Sequence, residues 1–260
     1  MSDLIVTGRP TPVLTDLGIM AARCLRNSLR NTESLITAVV LPVMLMLMFV
    51  YLFGGALATP TKYVDYVVPG VLAVCIGFGT ASTAVSVASD LTGGVIDRFR
   101  SMDVSGPAVL SGHVAAGLLR NLLSTGVLLV VAFVLGFRSH ASAVDWLVAV
   151  ALLAGFIVAL SWLAAAIGTA VGSAEAASGV TFLVSFLPYP SSAFVPLPTL
   201  PSWLQGFAHY QPVNCLIDAL RQLSQGQSFG TSATLTVAWS AGIAVGSIAL
   251  AGWRFRARTA

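Results

Sequence analysis

The chain has 260 residues, of which 57% are hydrophobic and only 9% are charged, and its formal net charge is +3. Water-soluble domains carry about 25% charged residues, so this composition excludes an ordinary soluble domain. It also disfavours a nucleic-acid partner, because the arginines stand at the ends of long apolar runs and not in surface patches. Since a helix needs roughly 20 apolar residues to cross the hydrocarbon core, the sequence predicts one all-α, multi-pass membrane domain.

An amphipathic helix is expected over residues 11–30, within a cytoplasmic N-terminal segment of residues 1–34. Val13, Leu17 and Met20 recur at helical spacing on one face, and arginines lie on another. Such a helix rests on a membrane surface with its basic residues toward the lipid head groups. A soluble helix that leads into the membrane domain is the alternative. No removable signal peptide is expected, because no apolar core precedes a cleavage site.

Six membrane-spanning helices are expected within residues 35–253, and a basic tail follows at 254–260. The fifth span contains Pro188 and Pro190, which interrupt helices, so it is expected to cross only partly before the chain turns back. The six spans are placed near Leu35–Phe53, Val67–Ser89, Leu118–Phe137, Trp146–Val171, Ala177–Val195 and Ser232–Trp253.

The distribution of basic residues predicts the orientation of these spans. Ten of the 13 Arg and Lys residues lie in segments on one side, whereas the opposite side holds only Lys62, Arg138 and Arg221. Basic residues concentrate in the cytoplasmic segments of membrane proteins. Both termini are therefore expected in the cytoplasm, with the protein in the plasma or inner membrane.

Ionisable residues are missing from the middle of every expected span, since Arg120, Arg138 and Glu175 stand at span edges. Ion-coupled carriers usually place an ionisable group near mid-membrane, so a proton-coupled carrier is disfavoured. The chain also lacks the GxxxxGK[ST] phosphate-binding loop, and its cysteines lack metal-ligand spacing. The sequence therefore predicts no catalytic residue and no metal site, and energy for uphill transport would come from another subunit.

A stripe of small and polar residues runs along the second span, at Gly79, Ser82, Thr83 and Ser86. One interpretation is the lining of a translocation path. The other is close helix packing, because small residues let membrane helices approach each other. The sequence leaves both interpretations open.

The cytoplasmic segment between the second and third spans, residues 90–107, contains a short expected helix that begins after Gly94 and ends at Gly106 and Pro107. Its apolar face favours docking in a groove of a partner protein, and a helix resting on the membrane surface is the alternative. The residues expected to make this contact are Val95, Ile96, Arg98, Phe99, Arg100 and Met102.

A long segment before the last span, residues 188–230, is too polar and too rich in proline to cross the membrane. Its apolar residues recur at helical spacing around Trp203 and around Leu216. Two short helices that lie at the outer face of the membrane, or dip into it, are therefore expected. Asp218 and Arg221 are spaced for a weak ion pair within one of these helices.

Several motifs, taken together in their order, resemble those of a known family. They are Tyr66-Val67-Val68-Pro69-Gly70 at the start of the second span, then Gly94, Asp97-Arg98-Phe99-Arg100-Ser101-Met102, Ser105 and Leu119-Arg120 around the cytoplasmic segment, and finally Ser192-Ala193-Phe194-Val195-Pro196, Leu200-Pro201-Ser202-Trp203-Leu204, Pro212-Val213 and Leu220-Arg221 in the outer segment. The family is that of the permease subunits of type-2 ABC exporters, of the daunorubicin-resistance (DrrB-like) kind. The resemblance covers nearly the whole chain and departs from the family at Asp103 and Gly106.

The resemblance implies a six-helix permease that exports a hydrophobic or amphipathic cargo, such as a drug, an antibiotic or a lipid. A second permease, identical or a sister chain, would complete the membrane unit. Two ABC ATPase subunits would bind ATP and Mg²⁺ beneath it, and residues 90–107 would transmit their movement. A proton-coupled carrier and a non-transporting membrane scaffold are the alternative functions.

Overall fold

The computed structural model describes residues 26, 32–55, 59, 61–93, 106–227 and 230–259. Within these residues the chain is all-helical and contains no strand, as the composition predicts. Short loops and one 3₁₀ turn, Leu197–Thr199, connect the helices. The helices are α1 (Thr32–Met48, continued by a π-helical segment at Phe49–Phe53), α2 (Tyr63–Thr92), α3 (Gly106–Val134), α4 (Ala143–Ala170), α5 (Ala174–Ser185), α6 (Ser202–Tyr210), α7 (Pro212–Ser224) and α8 (Thr231–Thr259).

Two expectations fall outside the described residues and stay predictions. One is the amphipathic helix over residues 11–30, of which only Arg26 is described, as a helical and exposed residue. The other is the partner-binding face that runs from Val95 to Met102.

Four helices are long and apolar enough to cross a membrane: Tyr63–Thr92, Val109–Val134, Ala143–Ala170 and Thr231–Arg254. They correspond to the second, third, fourth and sixth expected spans. The helix α1 has a shorter apolar part, Val39–Phe53. Helix length and composition therefore give four candidate spans among the described residues, and the count of six stays a prediction.

The fifth expected span, Ala177–Val195, contains only a short helix, in keeping with the interruption expected at its two prolines. Its helix α5 contains 12 residues and ends at Ser185, before the two prolines. At about 1.5 Å per residue it is roughly 18 Å long, which is less than the roughly 30 Å of the hydrocarbon core. The chain then passes through consecutive turns, from Phe186 to Phe194, and does not continue as a helix.

The centre of the bundle is α2, which packs against α1, α3, α4, α5 and α7. In its most apolar stretch 72% of the residues are buried, against 17% in α8. Branched residues such as Val67, Val71 and Ile76 have no exposed surface and form the core with side chains of the surrounding helices. Because α2 packs against most of the other helices, a displacement of α2 would also displace those helices.

The turns after α5 lie directly on the first turns of α2. A Cβ atom at Gly70 would be 2.4 Å from the carbonyl oxygen of Ala193, so only glycine permits this approach. The ring of Phe194 stacks on Phe49 with centroids 4.1 Å apart, and its carbonyl accepts a hydrogen bond of 3.2 Å from the Tyr63 hydroxyl. The segment that follows the short helix is thus fixed between α1 and α2.

The two short helices expected before the last span are present as α6 and α7. The apolar face of α7 is buried on the bundle, with Val213, Leu216, Ile217, Leu220 and Leu223 each at most 5% exposed. The opposite arrangement is found in α6, where Trp203, Phe207 and Tyr210 stay exposed. The helix α7 therefore belongs to the packed core of this end of the bundle.

Candidate functional site

A network of polar side chains, which we call the Arg221 clamp, joins three distant parts of the sequence. It consists of Tyr66 on α2, Ser192 in the turns after α5, and Asn214, Asp218 and Arg221 on α7. From Nη1, Arg221 donates to Asp218 Oδ1 at 2.9 Å and to Ser192 Oγ at 3.1 Å. From Nη2 it donates to the carbonyl oxygens of Ser192 at 2.7 Å and Tyr66 at 3.3 Å. Its Cζ also lies 4.0 Å from the centroid of the Tyr66 ring.

The remaining members of the Arg221 clamp hold Ser192 from the other side. The Ser192 backbone N–H donates to Asn214 Oδ1 at 2.8 Å, and its hydroxyl donates to Asp218 Oδ1 at 2.8 Å. Asn214 Nδ2 donates in turn to Asp218 Oδ2 at 2.8 Å. Burial lowers the pKa of the Arg221 guanidinium, and the nearby Tyr66 and Asp218 oppose that shift. Charge-assisted hydrogen bonds of this kind are stronger than neutral ones, so the clamp fixes the turn firmly on α2 and α7.

A second group, which we call the Arg120 cluster, lies inside the bundle where α2, α3 and α4 meet. It consists of Gly79 and Thr83 on α2, Gly117, Arg120 and Asn121 on α3, and Ser161 on α4. Arg120 is 4% exposed, and its Nη2 donates to the Gly79 carbonyl oxygen at 2.9 Å and to Thr83 Oγ1 at 2.8 Å. One side chain of α3 is thus bonded to two successive turns of α2.

Glycines make this close contact possible. A Cβ atom at Gly79 would be 1.9 Å from Asn121 Oδ1, and one at Gly117 would be 2.8 Å from Thr83 Oγ1 and 3.2 Å from Ser161 Oγ. Asn121 and Ser161 have no exposed surface, and Asn121 Oδ1 and Ser161 Oγ find no hydrogen-bond partner among the described residues. Buried polar atoms nearly always have a hydrogen-bond partner, so burying these two oxygens without one costs free energy.

The stripe on the second span divides between two environments. Gly79 and Thr83 are buried and belong to the Arg120 cluster. Ser82 and Ser86 are half-buried on another side of α2, where the Ser86 hydroxyl donates to the Ser82 carbonyl oxygen at 2.8 Å. For Gly79 and Thr83, close helix packing is therefore the arrangement observed, and a translocation path along Ser82 and Ser86 stays a prediction.

The helix that contains Arg120 is longer than the expected third span. The third span was placed from Leu118, which puts Arg120 at its edge, whereas α3 begins at Gly106 and Arg120 lies midway along it. The helix extends further because its polar residues have partners on α2: His113 Nε2 lies 3.2 Å from Asp90 Oδ2, and Arg120 binds Gly79 and Thr83. The prediction from apolar residues could not identify these partners, so the predicted span began later than the helix does.

An apolar cavity lies between α2, α3, α4 and α7, close to the Arg221 clamp. Its walls include Val68, Leu72, Leu129, Leu153 and Leu220. It has a volume of about 30 Å³, whereas pockets that hold drug-sized ligands measure about 300–1,000 Å³. In this conformation the cavity has no room for a cargo molecule. Across the described ranges, no group of three or more His, Cys, Asp or Glu side chains is arranged to bind a metal ion.

Most of the chain is similar in sequence to known proteins. The profile of a family described as "ABC-2 type transporter" matches residues 15–224. The chain is 32% identical to the daunorubicin resistance ABC transporter permease protein DrrB1 of Streptomyces coeruleorubidus, over 80% of this chain and 75% of that protein. It is 26% identical to the probable doxorubicin resistance ABC transporter permease protein DrrC of Mycobacterium tuberculosis, over 86% of this chain and 82% of that protein.

Proposed function

The chain belongs to the ABC-2 type transporter family and is a multi-pass membrane permease subunit of an ABC exporter, and from this premise we propose that it exports a hydrophobic or amphipathic drug. The observation that carries the proposal is the 32% identity with a daunorubicin resistance permease over 80% of the chain. The relatives named for doxorubicin resistance support the same class of cargo. Daunorubicin and doxorubicin are therefore the first compounds to test.

We further propose that a separate ABC ATPase supplies the energy. Two copies of that ATPase would bind ATP and Mg²⁺ below a pair of permeases, formed by this chain with itself or with a sister chain. The permease itself would hydrolyse no ATP. Both termini would lie in the cytoplasm of a six-span protein, in which α5 covers only part of the membrane thickness. The Arg221 clamp would then close the outer end of the bundle.

The contact with the ATPase is assigned to the segment of residues 90–107, with Phe99 as its anchor. Aromatic residues in desolvated pockets dominate interfaces, and their truncation costs roughly 2 kcal/mol or more. Phe99→Asp would bury a charge without a partner, which is worse than truncation. We expect this variant to reach the membrane at normal abundance and to lose its ATPase during mild detergent purification.

The matched control is Leu129→Ala, a change within α3 and far along the chain from that segment. It should retain the ATPase. If Phe99→Asp retains both the ATPase and export, the coupling element lies elsewhere. The next candidates are the turn around Ser173 and Glu175 and the amphipathic helix expected over residues 11–30.

A proton-coupled carrier is the second candidate, because Arg120, midway along α3, and the His113–Asp90 pair place ionisable groups between the helices of the bundle. One experiment separates the two. Inside-out vesicles that contain the permease and its co-purified ATPase are supplied with daunorubicin, and uptake is followed by quenching of the drug's fluorescence. We expect uptake with Mg·ATP that vanadate abolishes. Uptake driven by an imposed proton gradient without ATP would favour the carrier, and no uptake under either condition would favour a scaffold.

A further inference from the structure

The helices on either side of the coupling segment are α2 and α3, and α2 is bonded to α3 at two levels and to the loop after α3 at a third. At the end next to that segment, His113 Nε2 lies 3.2 Å from Asp90 Oδ2. In the middle, Arg120 is bonded to two turns of α2. At the far end, the backbone N–H of Arg138, in the loop after α3, donates to Asp65 Oδ1 at 2.9 Å. Together these contacts resist both sliding and separation of the antiparallel pair.

The middle level is the tightest of the three. One nitrogen of Arg120, Nη2, donates to a carbonyl oxygen and to a hydroxyl oxygen of α2, at 2.9 and 2.8 Å. The absence of side chains at Gly79 and Gly117 brings the helix backbones close together at the same height. Small residues favour such close packing in membrane proteins, and buried hydrogen bonds between the helices fix their register. Arg120 thus determines how α3 is seated on α2.

The far end of α2 leads directly into the Arg221 clamp. Tyr66, in the first turn of α2, offers both its carbonyl oxygen and its ring to Arg221. Asp90, near the other end, is followed by the coupling segment. Asp90 lies 24 positions after Tyr66, which corresponds to roughly 36 Å of helix at about 1.5 Å per residue. A rigid pair of helices would therefore connect the cytoplasmic segment to the contacts that hold the turn around Ser192.

We propose that Arg120 is a positioning residue for ATP-driven export, which holds α2 and α3 together as one rigid hairpin. When residues 90–107 move, α2 and α3 then move together and do not slide past each other. The movement displaces Tyr66 and opens the Arg221 clamp. The proposal rests on the proposed function, because it needs an ATPase that moves the coupling segment. Arg120 itself binds no cargo in this mechanism.

The first test uses Arg120→Gln in the complex of the permease with its ATPase, in inside-out vesicles. Glutamine is too short to bond to both Gly79 and Thr83 from α3. We expect the ATPase to remain bound and to hydrolyse ATP at a rate within about twofold of the unmodified complex, while ATP-driven daunorubicin uptake falls at least tenfold. A variant that exports normally would overturn the proposal.

The second test replaces the lost bonds by a covalent one. Thr83 Oγ1 lies 2.8 Å from the Cβ position at Gly117, so cysteines at these two positions are within reach of a disulfide. In a chain without its native cysteines, Thr83→Cys with Gly117→Cys should form the disulfide on oxidation. The matched control is Thr83→Cys with Gly126→Cys, because a side chain at Gly126 would have no neighbour within 4 Å.

The disulfide distinguishes positioning from cargo binding. If Arg120 only holds the helices together, the oxidised pair should restore the export of Arg120→Gln to within about twofold, and a reductant should abolish the rescue. Failure of the rescue, or failure of the disulfide to form, would each overturn the proposal.

The proposed function has its own point of failure. If the unmodified complex shows no ATP-driven uptake, the export of this drug is wrong, whatever Arg120 does. If the unmodified complex transports and the oxidised pair does not rescue Arg120→Gln, export stands and only the rigid hairpin is wrong. As a further check, the rate of disulfide formation should be the same, within about threefold, with and without trapped Mg·ATP and vanadate.

Discussion

The Arg221 clamp and the Arg120 cluster both bond an arginine to at least one neutral oxygen of α2, but they differ in what surrounds the arginine. In the clamp, Arg221 also meets the carboxylate of Asp218, and its side chain is 13% exposed at the end of the bundle. In the cluster, the described hydrogen bonds of Arg120 go to a carbonyl and a hydroxyl oxygen, at 4% exposure in the middle of a helix.

This difference indicates two mechanical roles. The clamp joins a short turn to two helices through side chains that can separate and be rehydrated, which suits a contact that opens. The cluster joins helix backbones where glycines bring them into contact, and separation would leave a guanidinium without its partners in an apolar interior, which suits a contact that stays closed. Four predictions test this contrast.

The largest effect is expected from Arg221→Ala. The change leaves Asp218 without its cation and removes donors from the carbonyls of Ser192 and Tyr66. Removing one partner of a largely buried pair costs about 3 kcal/mol. The midpoint of thermal unfolding in detergent should therefore fall by roughly 6–12 °C. Arg138→Ala is the control. The described bonds of the Arg138 side chain go to carbonyl oxygens close to it in sequence, those of Phe133 at the end of α3 and of Phe137, so its loss should shift the midpoint little.

Gly79→Ala should destabilise the Arg120 cluster by a somewhat smaller amount. The added methyl group would lie 1.9 Å from Asn121 Oδ1, and overpacking a tight contact costs about 1–3 kcal/mol. Gly126→Ala makes the same chemical change where no atom is near, and a helical alanine should there be neutral or stabilising. The comparison is made by thermal unfolding in detergent. Equal midpoints for the two variants would contradict the close packing at Gly79.

Arg221→Lys should be milder than Arg221→Ala. An ammonium can keep its contact with Asp218, but it cannot also present the fork of donors that reaches Ser192 and Tyr66. Losing one charge-assisted hydrogen bond costs about 1.5–3 kcal/mol, so the unfolding midpoint should lie between those of the unmodified chain and the alanine variant. A lysine variant as unstable as alanine would mean that the fork, and not the charge, holds the clamp.

The smallest perturbation tests the placement of the clamp outside the membrane. A single cysteine at the exposed position Thr199, between the turns and α6, should react with an impermeant maleimide on intact cells. A single cysteine at Thr259, at the end of α8, should react only after the cells are opened. Both variants should export normally. Labelling of Thr259 from outside would reverse the proposed orientation of both regions.

The sequence predicted those parts of the fold that depend on uninterrupted apolar runs. The second span was placed at Val67–Ser89 and the fourth at Trp146–Val171, and α2 and α4 cover them within a few residues. The ion pair between Asp218 and Arg221 followed from their spacing on one helix and is present at 2.9 Å. These features are local, so residue type and spacing were sufficient.

Features that depend on distant partners could not be predicted in this way. Arg120 is bonded to residues 41 and 37 positions earlier in the chain, and no pattern near Arg120 identifies them. Arg221 reaches Tyr66, 155 positions away, so its spacing to Asp218 revealed only one of its contacts. In a sequence, a polar residue within an apolar run indicates the end of a span, even when it is buried against a partner on another helix. This explains why the predicted third span began at Leu118 although α3 begins at Gly106.

The shortness of α5 has a consequence for the lipid around the protein. Val180, Phe182 and Leu183 are exposed on this helix, so its apolar surface is open to lipid in a single permease, yet the helix is only roughly 18 Å long. Acyl chains beside α5 would therefore meet an apolar surface much shorter than the roughly 30 Å thickness of the hydrocarbon core. A bilayer adapts to such a mismatch by thinning locally. We expect a shallow depression of the membrane along this side of the permease, which would shorten the distance that an amphipathic molecule travels from one leaflet to the other.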